Sequence, residues 1–197
     1  GKVDKKGPWE FRPIPKFVYD EVDGDPRRLS AFAKICPHKL FPHGSRTVWL
    51  DGCYVHTEKF VDTCKNILGR NPYHGMGGWG AQTHMLHPHR FTFHNEVMEG
   101  FGANFNTREQ FVELVHALDE VNYDFTKYCS PVLTCIWRVI SDEMHEFHDM
   151  WWKYSLIGSN RDQISFDCAK QLCSLEWDTI PDWQSIGLDL TSSKAKE

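Results

Sequence analysis

A chain of 197 residues with 41% hydrophobic and 25% charged side chains has the length of one domain and the composition of a water-soluble globular protein, not of a disordered or fibrous one. It contains no run of 18 apolar residues, which excludes a transmembrane helix, and its basic, Pro-bearing start GKVDKKGPW is not that of a signal peptide. With 22 Lys/Arg against 27 Asp/Glu, general nucleic-acid binding is excluded, although residues 1–50 hold ten of the cations and only six of the acids, as a small anionic ligand or a solvated basic face would require.

The first predicted element is a broken extended segment over WEFRPIPKFVYDEV, closed by a turn at Asp23-Gly24-Asp25-Pro26. Arg46–Asp51 reads as a short buried strand that delivers Asp51 to its C-terminal end before Gly52. Thr57 then caps a helix with Phe60, Val61, Cys64, Ile67 and Leu68 on one face and Gly69 at its stop. Strand followed by helix points to α/β layering.

Residues 69–80 are glycine-rich and contain G-x-G-x-x-G at Gly75, Gly77 and Gly80. A dinucleotide fingerprint needs a strand before the glycines and a helix after them. Here a helix precedes and the strand-like THMLHP follows, so the stretch reads as a mobile loop that serves as a lid.

A helix is expected over about 107–122, opened by the capping box Thr107-Arg-Glu-Gln110 and striped by Phe111, Leu114, Val115, Leu118 and Val121. Val132–Ile140 reads as a second buried strand, and Ser141-Asp-Glu opens a helix that carries Met144, Phe147, Trp151 and Tyr154 towards Gly158. A last helix runs from Asn160 or Arg161 to about Leu172. One domain over 1–190 and a frayed tail over 191–197 complete the expected organisation.

Seven cysteines without C-x-x-C spacing fit neither a disulfide framework nor a structural zinc site, and read as buried thiols. Among eleven histidines, His84, His87 and His89 cluster on the strand-like run with His94 behind, and His87 and His89 would share a face. That pattern leaves a metal-dependent hydrolase open. In His145-Glu-Phe-His148-Asp149, Asp149 stands where the second histidine of H-E-x-x-H belongs, so an exposed helix face is expected there instead of a zinc peptidase. Asp51 can hold a hard divalent cation or simply form an Asp-Gly turn. Asp162, at a helix start, can be a general base or a helix-capping acid.

Taken in order, several motifs resemble those of a glycosyltransferase-like domain family, formerly a domain of unknown function, with plant mucilage- and pectin-type, bacterial and viral members. They are Asp25-Pro-Arg-Arg28, Lys34, Pro37-His38-x-Leu40-Phe41-Pro42, Trp49-Leu-Asp-Gly52, His87-Pro-x-Arg90 with Glu96, Trp151-Trp152 and Arg161-Asp-Gln-Ile-Ser-Phe166. The resemblance covers Trp9 to Phe166. It implies a GT-A-like fold, a mostly parallel sheet flanked by helices, whose N-terminal strand–helix–strand segment is truncated here or belongs to a longer protein.

The implied activity is sugar transfer from a nucleoside diphosphate sugar to a carbohydrate or glycoconjugate hydroxyl, with Mn²⁺ or Mg²⁺ as cofactor. Under it Asp162, Arg161 and Gln163 are catalytic, and Arg27, Arg28, Lys34, Asp51 and Gly52 bind the donor. Trp151, Trp152, His87 and Arg90 bind the acceptor, and Asp51 with His87 holds the metal. Trp151 and Trp152 point about 100° apart on a helix, so at most one of them is expected to face a sugar. The second acid of a D-x-D motif is missing, since Cys53 follows Gly52. A catalytically inert carbohydrate-binding or structural domain of the same descent remains the alternative. The location expected is cytoplasmic, or the Golgi lumen if a leader has been removed.

Overall fold

The expected turn forms at Asp23-Gly24, both with positive φ, while Asp25 accepts hydrogen bonds from the backbone N–H groups of Arg27 and Arg28 and, with Pro26 after it, opens a ten-residue helix. The computed structural model describes residues 12–52, 54–70, 92–128, 133–158 and 160–173, together with the backbone of five short strands outside these ranges. The helices are α1 (Lys16–Glu21), α2 (Pro26–Ile35), α3 (Glu58–Arg70), α4 (Phe93–Gly102), α5 (Arg108–Asp119), α6 (Asp142–Ile157) and α7 (Asp162–Cys173). The strands are β1 (Lys5–Lys6), β2 (Trp9–Glu10), β3 (Arg46–Leu50), β4 (Tyr54–His56), β5 (Met76–Gly77), β6 (Cys135–Val139), β7 (Thr179–Ile180) and β8 (Leu188–Leu190).

The mostly parallel GT-A-like sheet is not what forms. Helices dominate, and the main sheet has the order β3-β6-β5-β7, in which β3 and β5 both run antiparallel to β6 and only the two-residue β5 and β7 are parallel. An apolar run such as Cys135–Val139 announces burial on both faces but not the direction of its neighbours, which is why the sequence pattern misled. Three further expectations change. Lys16–Glu21 is helical after Pro15, not extended; α4, capped by Thr92, was not foreseen; and Met76–Gly77, in the expected lid, pairs within the sheet. The rest of that loop, Gly75 and Gly80 included, lies outside the described residues.

Two apolar cores flank the α6–α7 pair. One gathers Val18, Phe32, Ile35, Ile136, Phe147, Trp151, Trp152 and Phe166, and the other gathers Phe93, Phe111, Leu114, Leu118, Tyr154 and Cys168. On α6, Trp151 points into the first and Tyr154 into the second, so this helix fixes where α7 starts. Cys36, Cys135 and Cys168 are buried free thiols, as expected, while Cys64 and Cys173 are half-buried and also free. Among the described residues no helix is long and apolar enough to cross a membrane.

Candidate functional site

Three elements bring charge to one place. Lys34 sits in the last turn of α2, where the helix dipole favours a cation, and is only 7% exposed. Asp51 follows the last residue of β3, its N–H held by the carbonyl of Thr134 at 2.8 Å. Asp162 opens α7. The Lys34 ammonium is hydrogen-bonded to Asp162 Oδ2 and lies 3.7 Å from Asp51 Oδ1, so one cation serves two carboxylates. Trp49 Nε1 donates to Asp51 Oδ1 at 2.6 Å, and the Lys34 ammonium stands 5.9 Å from the centre of the same indole.

Burial raises the pKa of Asp51, and the nearby Asp162 carboxylate adds to this; the Lys34 ammonium and the Trp49 indole oppose it. Asp162 is placed through its backbone: its carbonyl accepts from Trp151 Nε1 at 3.1 Å, and the same nitrogen lies 3.2 Å from Ser165 Oγ. The anchor at the other end is Arg138, fully buried in β6, whose guanidinium donates to the Lys34 carbonyl.

Asp51 and Asp162 offer hard oxygen donors, and Mg²⁺ commonly needs only one or two carboxylates when substrate phosphates complete its shell. The residues fit a divalent cation to that extent, and these two would hold it. Among the described residues no three His, Cys, Asp or Glu side chains converge as a metal site. His87, the other expected ligand, lies outside the described residues, as do Arg90, His84 and His89.

The arginines expected on the donor go elsewhere. Arg27 donates to the carbonyl of Asn104 at 2.7 Å, and Arg28 donates to the carbonyl of Leu156 at 3.0 Å and to Asn160 Oδ1 at 3.4 Å. Arg161 pairs with the buried Glu96 at 2.6 Å. The guanidinium carbons of Arg27 and Arg161 lie 5.1 and 5.6 Å from the ring centre of Phe105. Arg27 and Arg161 thus bring α2 and the start of α7 to Asn104 and Phe105, and Arg28 ties α2 to the end of α6 and Asn160. Positive charge in a motif does not say whether its partner is a ligand or a carbonyl of the same chain.

Trp151 and Trp152 are 0% and 3% exposed. Trp152 donates to Glu21 Oε1 at 2.6 Å and meets Phe32 edge-on at 5.4 Å. Neither indole has a free face for a sugar, so both acceptor assignments are corrected: the pair is core, and Trp151 positions Asp162. Gln163 is half-buried beside Asp162, and its Oε1 has no hydrogen-bond partner among the described residues. At Gly52 a Cβ would meet nothing within 4 Å, so close approach does not require glycine there.

His148, expected on an exposed face, is 0% exposed. Its ring lies 5.7 Å from that of His38 and 5.8 Å from that of Trp151, both nearly parallel to it. His38 is fixed by Asp149 Oδ1 at 2.9 Å. This group and Arg138 escaped sequence reading because the two histidine motifs lie about a hundred residues apart.

No family model, curated protein or solved structure matches the chain.

Proposed function

We propose that the chain transfers a sugar from a nucleoside diphosphate donor to the hydroxyl of a carbohydrate or glycoconjugate. The observation that carries this reading is the meeting of Lys34, Asp51 and Asp162, all three named by the family resemblance, with Lys34 lying 128 positions from Asp162. Sugar transfer needs the leaving diphosphate neutralised and the acceptor hydroxyl deprotonated. Lys34 supplies positive charge beside Asp51, where a divalent cation would also be held and would stabilise the diphosphate. Asp162 is the base: its carboxylate takes the acceptor proton once Lys34 turns to the incoming diphosphate. The reading rests on this side-chain group and on motif order, and needs no parallel sheet.

Binding without turnover is the second reading, favoured by one observation: Lys34 closes on Asp162 and so occupies the base. The deciding experiment incubates the protein with a panel of uridine and guanosine diphosphate sugars, with Mn²⁺ and without, and follows nucleoside diphosphate release with an oligosaccharide acceptor mixture. Release that depends on acceptor, and that falls about 10²–10⁴-fold in Asp162→Asn with donor affinity unchanged, is the expected result. Donor binding without release establishes the inert domain, and no binding of any donor removes both.

A further inference from the structure

Among the described residues β3 is an edge strand, and along it runs a cavity of about 730 Å³ whose described walls carry Arg12, Lys39, Arg46 and Arg138 and no carboxylate. Thr47 and Arg138 are direct cross-strand partners, so their side chains share one face of the sheet, and both line this cavity. Each has a buried donor without an acceptor among the described residues: the Thr47 hydroxyl and the Arg138 Nε. Arg138 is 2% exposed. Its only side-chain hydrogen bond among the described residues goes to the Lys34 carbonyl, and burial lowers its pKa to about 9 against the opposing pull of the Cys36 and Cys135 thiols. A buried guanidinium without an anion is costly, and two such unpartnered donors at one register position call for a shared acceptor.

At the mouth, the Arg12 guanidinium stands 5.8 Å from the ring centre of Phe41, and Lys39 lies 3.2 Å from Asp149, which is not a wall residue. Phe32 and Trp49 add apolar wall. The volume is that of a small-molecule site.

We infer that this cavity binds a phosphomonoester with an apolar body, its phosphate oxygens accepting from Arg138 and Thr47 at the floor and from Arg12 at the rim. Arginine forks match a tetrahedral oxyanion, and three arginines with one lysine suit a dianion better than a monoanionic carboxylate. The cavity shares two residues with the Lys34 group, Arg138, which donates to the Lys34 carbonyl, and Trp49, which donates to Asp51, but neither Asp51 nor Asp162 is among its walls, and the inference does not depend on sugar transfer.

The test is calorimetric titration with phenyl phosphate, with phenol and benzoate as the uncharged and carboxylate probes. One-to-one binding of phenyl phosphate is expected, with phenol silent and benzoate at least several-fold weaker. Thr47→Val, which keeps the strand-forming shape, and Arg12→Ala at the rim should each weaken it about tenfold, as loss of a charge-assisted hydrogen bond does. Asp162→Asn should bind phenyl phosphate as the wild type does, which keeps this result distinct from failure of the transferase reading. Absence of phenyl phosphate binding, benzoate binding as tightly as phenyl phosphate, or indifference to both Thr47→Val and Arg12→Ala in folded protein would overturn the assignment.

Discussion

The ammonium of Lys34, in the last turn of α2, is hydrogen-bonded to Asp162 Oδ2 at the start of α7, 128 positions further along the chain. Its side chain is 9% exposed, against 32% for Asp51 and 23% for Asp162, so the carboxylates keep contact with water while the cation does not. The group is therefore open on its acidic side. An incoming cation or hydroxyl meets oxygens first.

Lys34→Met leaves two carboxylates facing each other with no counter-charge. Breaking a fully buried pair costs 3–5 kcal/mol, and the partial exposure of both acids brings the expected loss down to about 2–3 kcal/mol. Adding Asp162→Asn to Lys34→Met should recover part of it, because only one charge then remains. Urea unfolding of the wild type, both single variants and the double variant measures this coupling. Strict additivity would mean that Lys34 and Asp162 do not interact in solution.

Trp151→Phe keeps a ring in the core and removes the donor that holds the Asp162 carbonyl and reaches Ser165 Oγ. The expected stability loss is about 1–2 kcal/mol from the hydrogen bonds. Trp152→Phe removes one bond to Glu21 and should cost a similar amount. The two should separate in function: only Trp151→Phe should lower turnover and shift its pH profile, since only Trp151 positions the base. Equal turnover in both variants would reduce Trp151 to a packing residue.

Much of this arrangement was written locally in the sequence. The capping box at Thr107 and Gln110 forms with both of its hydrogen bonds, and Ser141 caps α6 by accepting from the Met144 N–H. Both strands of the β3–β6 pair lie within their expected ranges, and Asp51 emerges where the apolar run stops. Local chemistry could not give the antiparallel pairing, because strand direction is set by partners far along the chain. Nor could it separate a ligand-facing arginine from one that donates to Leu156 or Asn104, since both need the same residue type. The Lys34 group was half legible: its members were visible singly, their meeting was not.

Gly158 ends α6 against α5. A Cβ there would lie 2.7 Å from the Leu114 Cβ and well inside contact distance of the Gln110 carbonyl oxygen, and a backbone carbonyl cannot move aside as a side-chain tip can. Gly158→Ala should therefore destabilise by about 1–3 kcal/mol through overpacking, despite alanine's lower chain entropy in the unfolded state. Gly52→Ala, where a Cβ meets nothing, is the control and should change the melting temperature little. A neutral Gly158→Ala would show that α5 and α6 are further apart than described.

Acid should loosen the fold through the histidines between α2, α6 and β6. Burial lowers the pKa of His148 well below its ordinary 6.5, assisted by the Arg138 and His38 charges, and burial also lowers that of His38 against the opposing pull of Asp149. The groups around them are Lys39, Asp149, His145 and Arg138, of which only Asp149 is an acid. Above pH 6.5 both folded and unfolded chains carry these rings neutral, so their contribution to stability is fully present. As pH falls below that value the unfolded chain binds protons that the folded chain cannot, and stability is lost until the folded pKa values are passed. Unfolding free energy measured from pH 8 to pH 5 should decline below about pH 6.5. His148→Phe keeps a flat ring between His38 and Trp151 and removes one of the titrating sites, so its decline should be shallower by up to about 1.4 kcal/mol per pH unit, the slope of one proton. An identical slope in wild type and His148→Phe would mean that His148 takes up its proton in the folded protein and that the ring is not sealed from water.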